Sequence, residues 1–94
     1  MSELNQDKID SNLSKLSGWS FEDNAIRKQF QFKDFIEALS FVNKIGMESE
    51  KMDHHPDILM FEWNKVKITI STHSTGGVTE KDFQLAKKIE DRLK

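Results

Sequence analysis

The stretch "DHHPDILMFEWNKVKITIST", residues 53–72, decides the fold. Proline disfavours helical geometry at the residue before it, here His55, so a helix arriving from the N-terminal side ends near Asp53. Ile58 to Trp63 reads as a strand, and Glu62 to Lys65 turns the chain. Beyond the turn, Val66, Ile68 and Ile70 alternate with Lys65, Lys67, Thr69 and Ser71. That period of two is the signature of a strand with one dry and one wet face. Two strands joined by a short turn pair antiparallel, which sets the start of the first beside the end of the second. His54 and His55 stand at that start, and His73 follows that end. The hairpin therefore gathers all three histidines of the chain at one edge of a sheet.

Working outward, the segment before Asp53 reads as a long helix. Asp34 and Glu37 form an Asp-x-x-Glu capping box at its start. Phe35, Ala38, Leu39, Val42 and Ile45 make an apolar stripe, which Ser49 and Met52 prolong. Gly46 weakens the middle by roughly 1 kcal/mol relative to alanine. Upstream, "AIRKQFQF" (25–32) places Ile26, Phe30 and Phe32 on one face and Arg27, Gln29 and Gln31 on the other. "WSFE" (19–22) and the turn residues Asp23 and Asn24 complete a second hairpin. Asn5 can cap a first helix carrying Ile9, Leu13 and Leu16, with Gly18 as its left-handed end.

Downstream of the deciding stretch, "HSTGGV" (73–78) is a loop whose glycines serve turn geometry. Thr79 and Asp82 form a second capping box for a last helix with Leu85, Ala86, Ile89 and Leu93 inward. The order is αββαββα. The expected fold is α+β: a four-stranded antiparallel sheet with helices packed on one face, forming a single domain over residues 1–94.

The whole-chain composition narrows the function. A chain of 94 residues removes only about 60–65% of its unfolded surface from water, so self-association is one route to further burial. There is no cysteine, which excludes disulfides and thiolate zinc sites. Fourteen basic side chains stand against sixteen acidic ones, net −2, and both signs are interspersed. A nucleic-acid binder concentrates its basic residues instead. No apolar run approaches the ~20 residues of a membrane span. The start, "MSELNQDKID", has no apolar signal core, so a cytoplasmic protein is expected.

Histidine titrates near neutral pH. A cluster of imidazoles suits a reaction that delivers one proton and removes another; it also suits a divalent metal. Neighbours such as His54 and His55 usually point apart, which weakens the metal reading. Other candidates have plain structural readings beside the functional ones. Asp82 is the fourth residue of a capping box, Glu50 reads as a solvated helix residue, and Trp63 reads as sheet packing.

The combination Glu50-x-x-x-His54-His55-Pro56, then Trp63, then "STH" ending at His73, then Asp82, resembles the signature of the pterin-4a-carbinolamine dehydratases. "GW" (18–19), "FQFKDFIEALSFVNKIG" (30–46), "GGVTEKD" (76–82) and "LAKKIE" (85–90) extend the likeness from about Leu13 to Lys94. In relatives the position before the histidine pair is often Asn or Gly; here it is Asp53.

The resemblance implies an αββαββα fold and a hydro-lyase. The reaction removes water from a 4a-hydroxytetrahydropterin, giving a quinonoid dihydropterin in tetrahydrobiopterin-type cofactor recycling. It implies no metal and no redox cofactor, because a lone pair of the pterin's own nitrogen expels the hydroxyl. It implies His54 as base towards N5 and His73 as acid towards the 4a-hydroxyl, two roles that could be exchanged. His55 would position the pterin or share the proton work. Glu50, Trp63 and Asp82 would support the site, Trp63 as a wall and Asp82 by accepting an imidazole N–H. It further implies a homodimer or homotetramer. The rival to an enzyme is a non-catalytic interaction module, since some animal members also partner a transcription factor. Such a module would not need every histidine of the motif.

Overall fold

A computed structural model describes residues 2–93. Those residues form α1 (Gln6–Leu13), β1 (Ser20–Glu22), β2 (Ala25–Gln31), α2 (Phe35–Met52), β3 (Asp57–Phe61), β4 (Lys65–Ile70) and α3 (Glu80–Asp91). This is the expected αββαββα order. The strands make one antiparallel sheet in the spatial order β1-β2-β4-β3. The second hairpin pairs Asp57 with Thr69 and Phe61 with Lys65, and β4 pairs on its other side with β2, Ile26 opposite Ile70.

Alternation along the strands builds the core. Ile26 and Phe30 of β2 and Val66, Ile68 and Ile70 of β4 are buried, and they join Ile9, Ala38, Phe41, Ile45, Leu85, Ala86 and Ile89 from the helices in one cluster. Each large aliphatic side chain so buried stabilises the fold by about 1.5–3 kcal/mol relative to exposure. The helices thus cover one face of the sheet. Among the described residues no helix is long and apolar enough to cross a membrane.

The turns follow their residue types. Asp23 and Asn24 both take positive φ, 51° and 59°, as a two-residue hairpin turn of primed type requires. Asn5 caps α1 by accepting the Lys8 N–H at 2.9 Å, and Asp34 caps α2 by accepting the Glu37 N–H at 2.8 Å. Glu37 reaches back to the Lys33 N–H at 3.2 Å, one residue earlier than the expected box.

Four expectations shift. α1 ends at Leu13, and Gly18 takes its left-handed φ of 83° only after further turns. β3 ends at Phe61, and Trp63 lies in the turn with a left-handed φ of 54°. The buried face of α2 runs through Ala38, Phe41, Ile45 and Ser49, leaving Phe35 at 51% exposure. Leu93 lies beyond the end of α3 and is exposed, while Phe83 is buried instead.

Candidate active site

α2 ends in a way that aims both histidines of the pair. Asp53 takes a left-handed φ of 51°, its N–H donates to the Glu50 carbonyl at 3.2 Å, and the His54 N–H donates to the Ser49 carbonyl at 3.1 Å. This is a Schellman termination. It satisfies the last helical carbonyls and turns the chain sharply away from the helix axis. Asp is among the non-glycine residues that tolerate this left-handed conformation. Pro56 then leads the chain into β3.

The turn sends the two imidazoles to different carboxylates. His54 places Nε2 2.6 Å from Asp82 Oδ1, with its side chain 11% exposed and that of Asp82 fully buried. His55 places Nε2 2.7 Å from Glu50 Oε1, and both of these side chains are open to solvent. The first pair is sheltered and rigidly held; the second is a surface pair, of a kind that contributes little to stability. An ionised Asp82 carboxylate can only accept, which places a hydrogen on His54 Nε2; in the neutral imidazole Nδ1 then keeps its lone pair.

Asp82 performs two of its expected jobs at once, one with each oxygen. Oδ1 meets His54. Oδ2 accepts the Thr79 N–H at 2.8 Å, which is the capping-box contact at the start of α3. Oδ2 also accepts the Thr72 hydroxyl at 2.9 Å. Thr72 was not singled out by the sequence motif as a separate group. Its parity is the available signal: it continues Val66, Ile68 and Ile70, so a hydroxyl points inward at the end of an apolar row.

His73 follows β4 at the start of a tight loop. The Thr72 N–H donates to the Gly77 carbonyl at 2.8 Å, and the Gly76 N–H donates to the Thr72 carbonyl at 3.0 Å. Gly76 has φ of 74°, a conformation that suits glycine. The His73 ring is exposed, and no group among the described residues hydrogen-bonds it. As the hairpin argument requires, His54, His55 and His73 line one cleft of about 250 Å³, together with Asp53, Ser71, Thr72 and Ser74.

Glu50 joins this cleft only through His55. Trp63 does not join it within the chain: it caps the opposite end of the hairpin, about 17 Å of strand away, and is 60% exposed. Among the described residues no three His, Asp or Glu side chains converge as a potential metal ligand set. A larger groove of about 500 Å³, between the start of α2 and the end of α3, contains none of the histidines.

A sheltered imidazole and an exposed one lining the same open cleft make a class of site chemically suited to moving protons on a small molecule. Comparisons with known proteins give the family. Residues 2–92 match the family model for pterin 4 alpha carbinolamine dehydratase. A Sulfolobus acidocaldarius protein, provisionally named as that dehydratase, is 50% identical over 86 residues, covering 92% of this chain and 93% of its own. A Trichormus variabilis protein with the same provisional name is 49% identical over 86 residues, covering 92% and 91%. A Brucella melitensis crystal structure, described as a transcriptional coactivator/pterin dehydratase, superposes with a TM-score of 0.91 at 37% identity, covering 96% and 97%. The chain belongs to the pterin-4a-carbinolamine dehydratase family, a family of hydro-lyases.

Proposed function

We propose that this protein dehydrates a 4a-hydroxytetrahydropterin by histidine acid–base catalysis, within the recycling of a tetrahydrobiopterin-type cofactor. The observation that carries the mechanism is the His54–Asp82 pair at 2.6 Å in the same cleft as His73. In the reaction the C4a–O bond breaks, the N5–H bond breaks, and a C4a=N5 double bond forms. The hydroxyl leaves with one delivered proton as water. N5 gives up its own proton, so the two transfers balance and no electrons enter or leave.

His54 is the base. Its Nε2–H is held by Asp82, so Nδ1 is the nitrogen free to take the N5 proton, and the carboxylate then stabilises the imidazolium that forms. His73 is the acid. Its exposed ring exchanges protons with water and delivers one to the leaving hydroxyl. His55, anchored by Glu50, orients the pterin ring between them. Trp63 serves the site only if another copy of the chain brings it there. We further propose that the protein works as a homo-oligomer.

Each transfer contributes typically ~10²–10⁴-fold. The test is water loss from freshly generated 4a-carbinolamine, followed spectroscopically for the His54→Ala and His73→Ala variants. Both should lose about 10²-fold or more in turnover while keeping native circular dichroism. Near-native turnover in either folded variant removes that residue from the mechanism.

A further inference from the structure

The hydroxyl chain behind Asp82 has a direction that follows from proton counting. Thr72 Oγ1 lies 2.9 Å from Asp82 Oδ2 and 2.8 Å from Thr79 Oγ1. Each hydroxyl owns one hydrogen, and an ionised carboxylate has none to give. The Thr72 hydrogen therefore goes to Asp82, and the Thr79 hydrogen goes to Thr72. The three side chains are buried, Thr79 and Asp82 completely, so the polarised row excludes water and has one internally consistent arrangement. Removing a link leaves a buried polar atom unpaired, which is costly, so the remaining groups have reason to rearrange.

Thr72 is also joined to the other half of the cleft. Its backbone N–H and carbonyl close the loop that presents His73, through Gly77 and Gly76. One residue thus holds the carboxylate behind His54 with its side chain and the base of the His73 loop with its main chain.

We infer that Thr72 is a positioning residue for the dehydration: its hydroxyl, braced by Thr79, fixes the Asp82 carboxylate so that His54 keeps its Nε2–H tautomer and presents Nδ1 to the substrate. This inference rests on the dehydratase reading of the site for its catalytic consequence, but the tautomer it assigns does not depend on that reading. Thr72 itself touches no reacting atom. Its effect belongs on the proton-transfer step and leaves pterin binding largely unchanged.

The experiment compares wild type, Thr72→Val and Thr72→Ser. Valine matches threonine in shape and lacks the hydroxyl, whereas serine retains it. Ring-nitrogen NMR of ¹⁵N-labelled protein reads the His54 tautomer, and carbinolamine decay reads kcat and KM. The expected wild-type spectrum shows His54 protonated at Nε2 and bare at Nδ1. Thr72→Val should mix or reverse the tautomers and lower kcat by about 10–100-fold, with KM changed less than about twofold. Thr72→Ser should restore both the tautomer and most of kcat.

A wild-type His54 carrying its hydrogen on Nδ1 would overturn the inference even if Thr72→Val failed to fold. So would a folded Thr72→Val variant with the native tautomer and native kcat, whatever its melting temperature. A tautomer that responds in a protein without carbinolamine turnover would count against the reaction and uphold the positioning of His54. Normal turnover with an unresponsive tautomer would count against the positioning alone.

Discussion

Replacing Asp82 by asparagine keeps the side chain's shape and removes its charge, which separates its two contacts. Asparagine Oδ1 can still accept one N–H, but the amide nitrogen then opposes a donor at the other position. Asp82→Asn should lower turnover per folded molecule by about 10²–10⁴-fold, and lower thermal stability as well, since Oδ2 caps α3. Unfolding curves and carbinolamine decay on the same preparation check both. A lower melting temperature with unchanged turnover per folded molecule would make Asp82 a cap alone. At this scale the histidines were legible, because hairpin geometry alone brings position 73 to positions 54 and 55. The double use of Asp82 was legible only as two rival readings. A sequence gives spacing along a helix but does not say which of two carboxylate oxygens meets which neighbour. Trp63 lies in the turn at the far end of the strands from the histidines, a placement that spacing along the chain does not reveal.

The ends of the elements set the geometry of the site. Asp53 sits in the left-handed region, where a residue other than Gly, Asn or Asp is strained by roughly 1–2 kcal/mol. Asp53→Ala should therefore destabilise the protein by about 1 kcal/mol, and Asp53→Gly should be close to neutral in denaturant titrations. A second tie acts between helices: Glu48 on α2 accepts from Arg92 Nε at 2.7 Å. Hydrogen bonding to Arg92, partly opposed by desolvation and aided by Lys51, holds the Glu48 carboxyl below its usual value. A depressed folded-state pKa stabilises the protein above the unfolded value, about 4.3, and that contribution disappears as pH falls through the folded value. Glu48→Gln should melt below wild type at pH 7, and the two curves should converge in acid below pH about 4. A constant gap across that window would exclude the ion pair as its source. The same helix shows where periodicity fell short. Phe35, Leu39 and Val42 form one apolar row and Ala38, Phe41, Ile45 and Ser49 another, a little under a quarter of a turn apart, and only Val42 of the first row packs against the core. Both satisfy the helical period, and only packing against the sheet selects the second. In β2, alternation also sends Lys28 inward. It is accommodated just past the start of the short strand β1, where its ammonium meets Glu90 at 2.9 Å and the Ser17 carbonyl at 2.7 Å.

The row that packing leaves out has a consequence for the whole molecule. Phe35 and Leu39 of α2 remain exposed, and Leu59 of the edge strand β3 is 55% exposed. An edge strand with unpaired backbone groups beside apolar side chains favours pairing with another chain. Light scattering at micromolar concentration should show a dimer or tetramer. Leu59→Lys combined with Phe35→Glu should raise the dissociation constant at least about tenfold; a wild-type monomer under these conditions would contradict the oligomer. The overall architecture was the most legible level, because strand alternation, two capping boxes and a single proline all point to one order of elements.

The most direct measurement is stopped-flow decay of freshly generated 4a-carbinolamine with wild-type protein, run before and after exhaustive chelation. Decay should be faster than in buffer by at least about 10²-fold, with the quinonoid dihydropterin as product and the same rate after chelation. Decay no faster than in buffer would contradict the dehydratase. Activity lost on chelation and restored by one equivalent of a specific metal would contradict the acid–base assignment, making the histidines ligands instead of proton carriers.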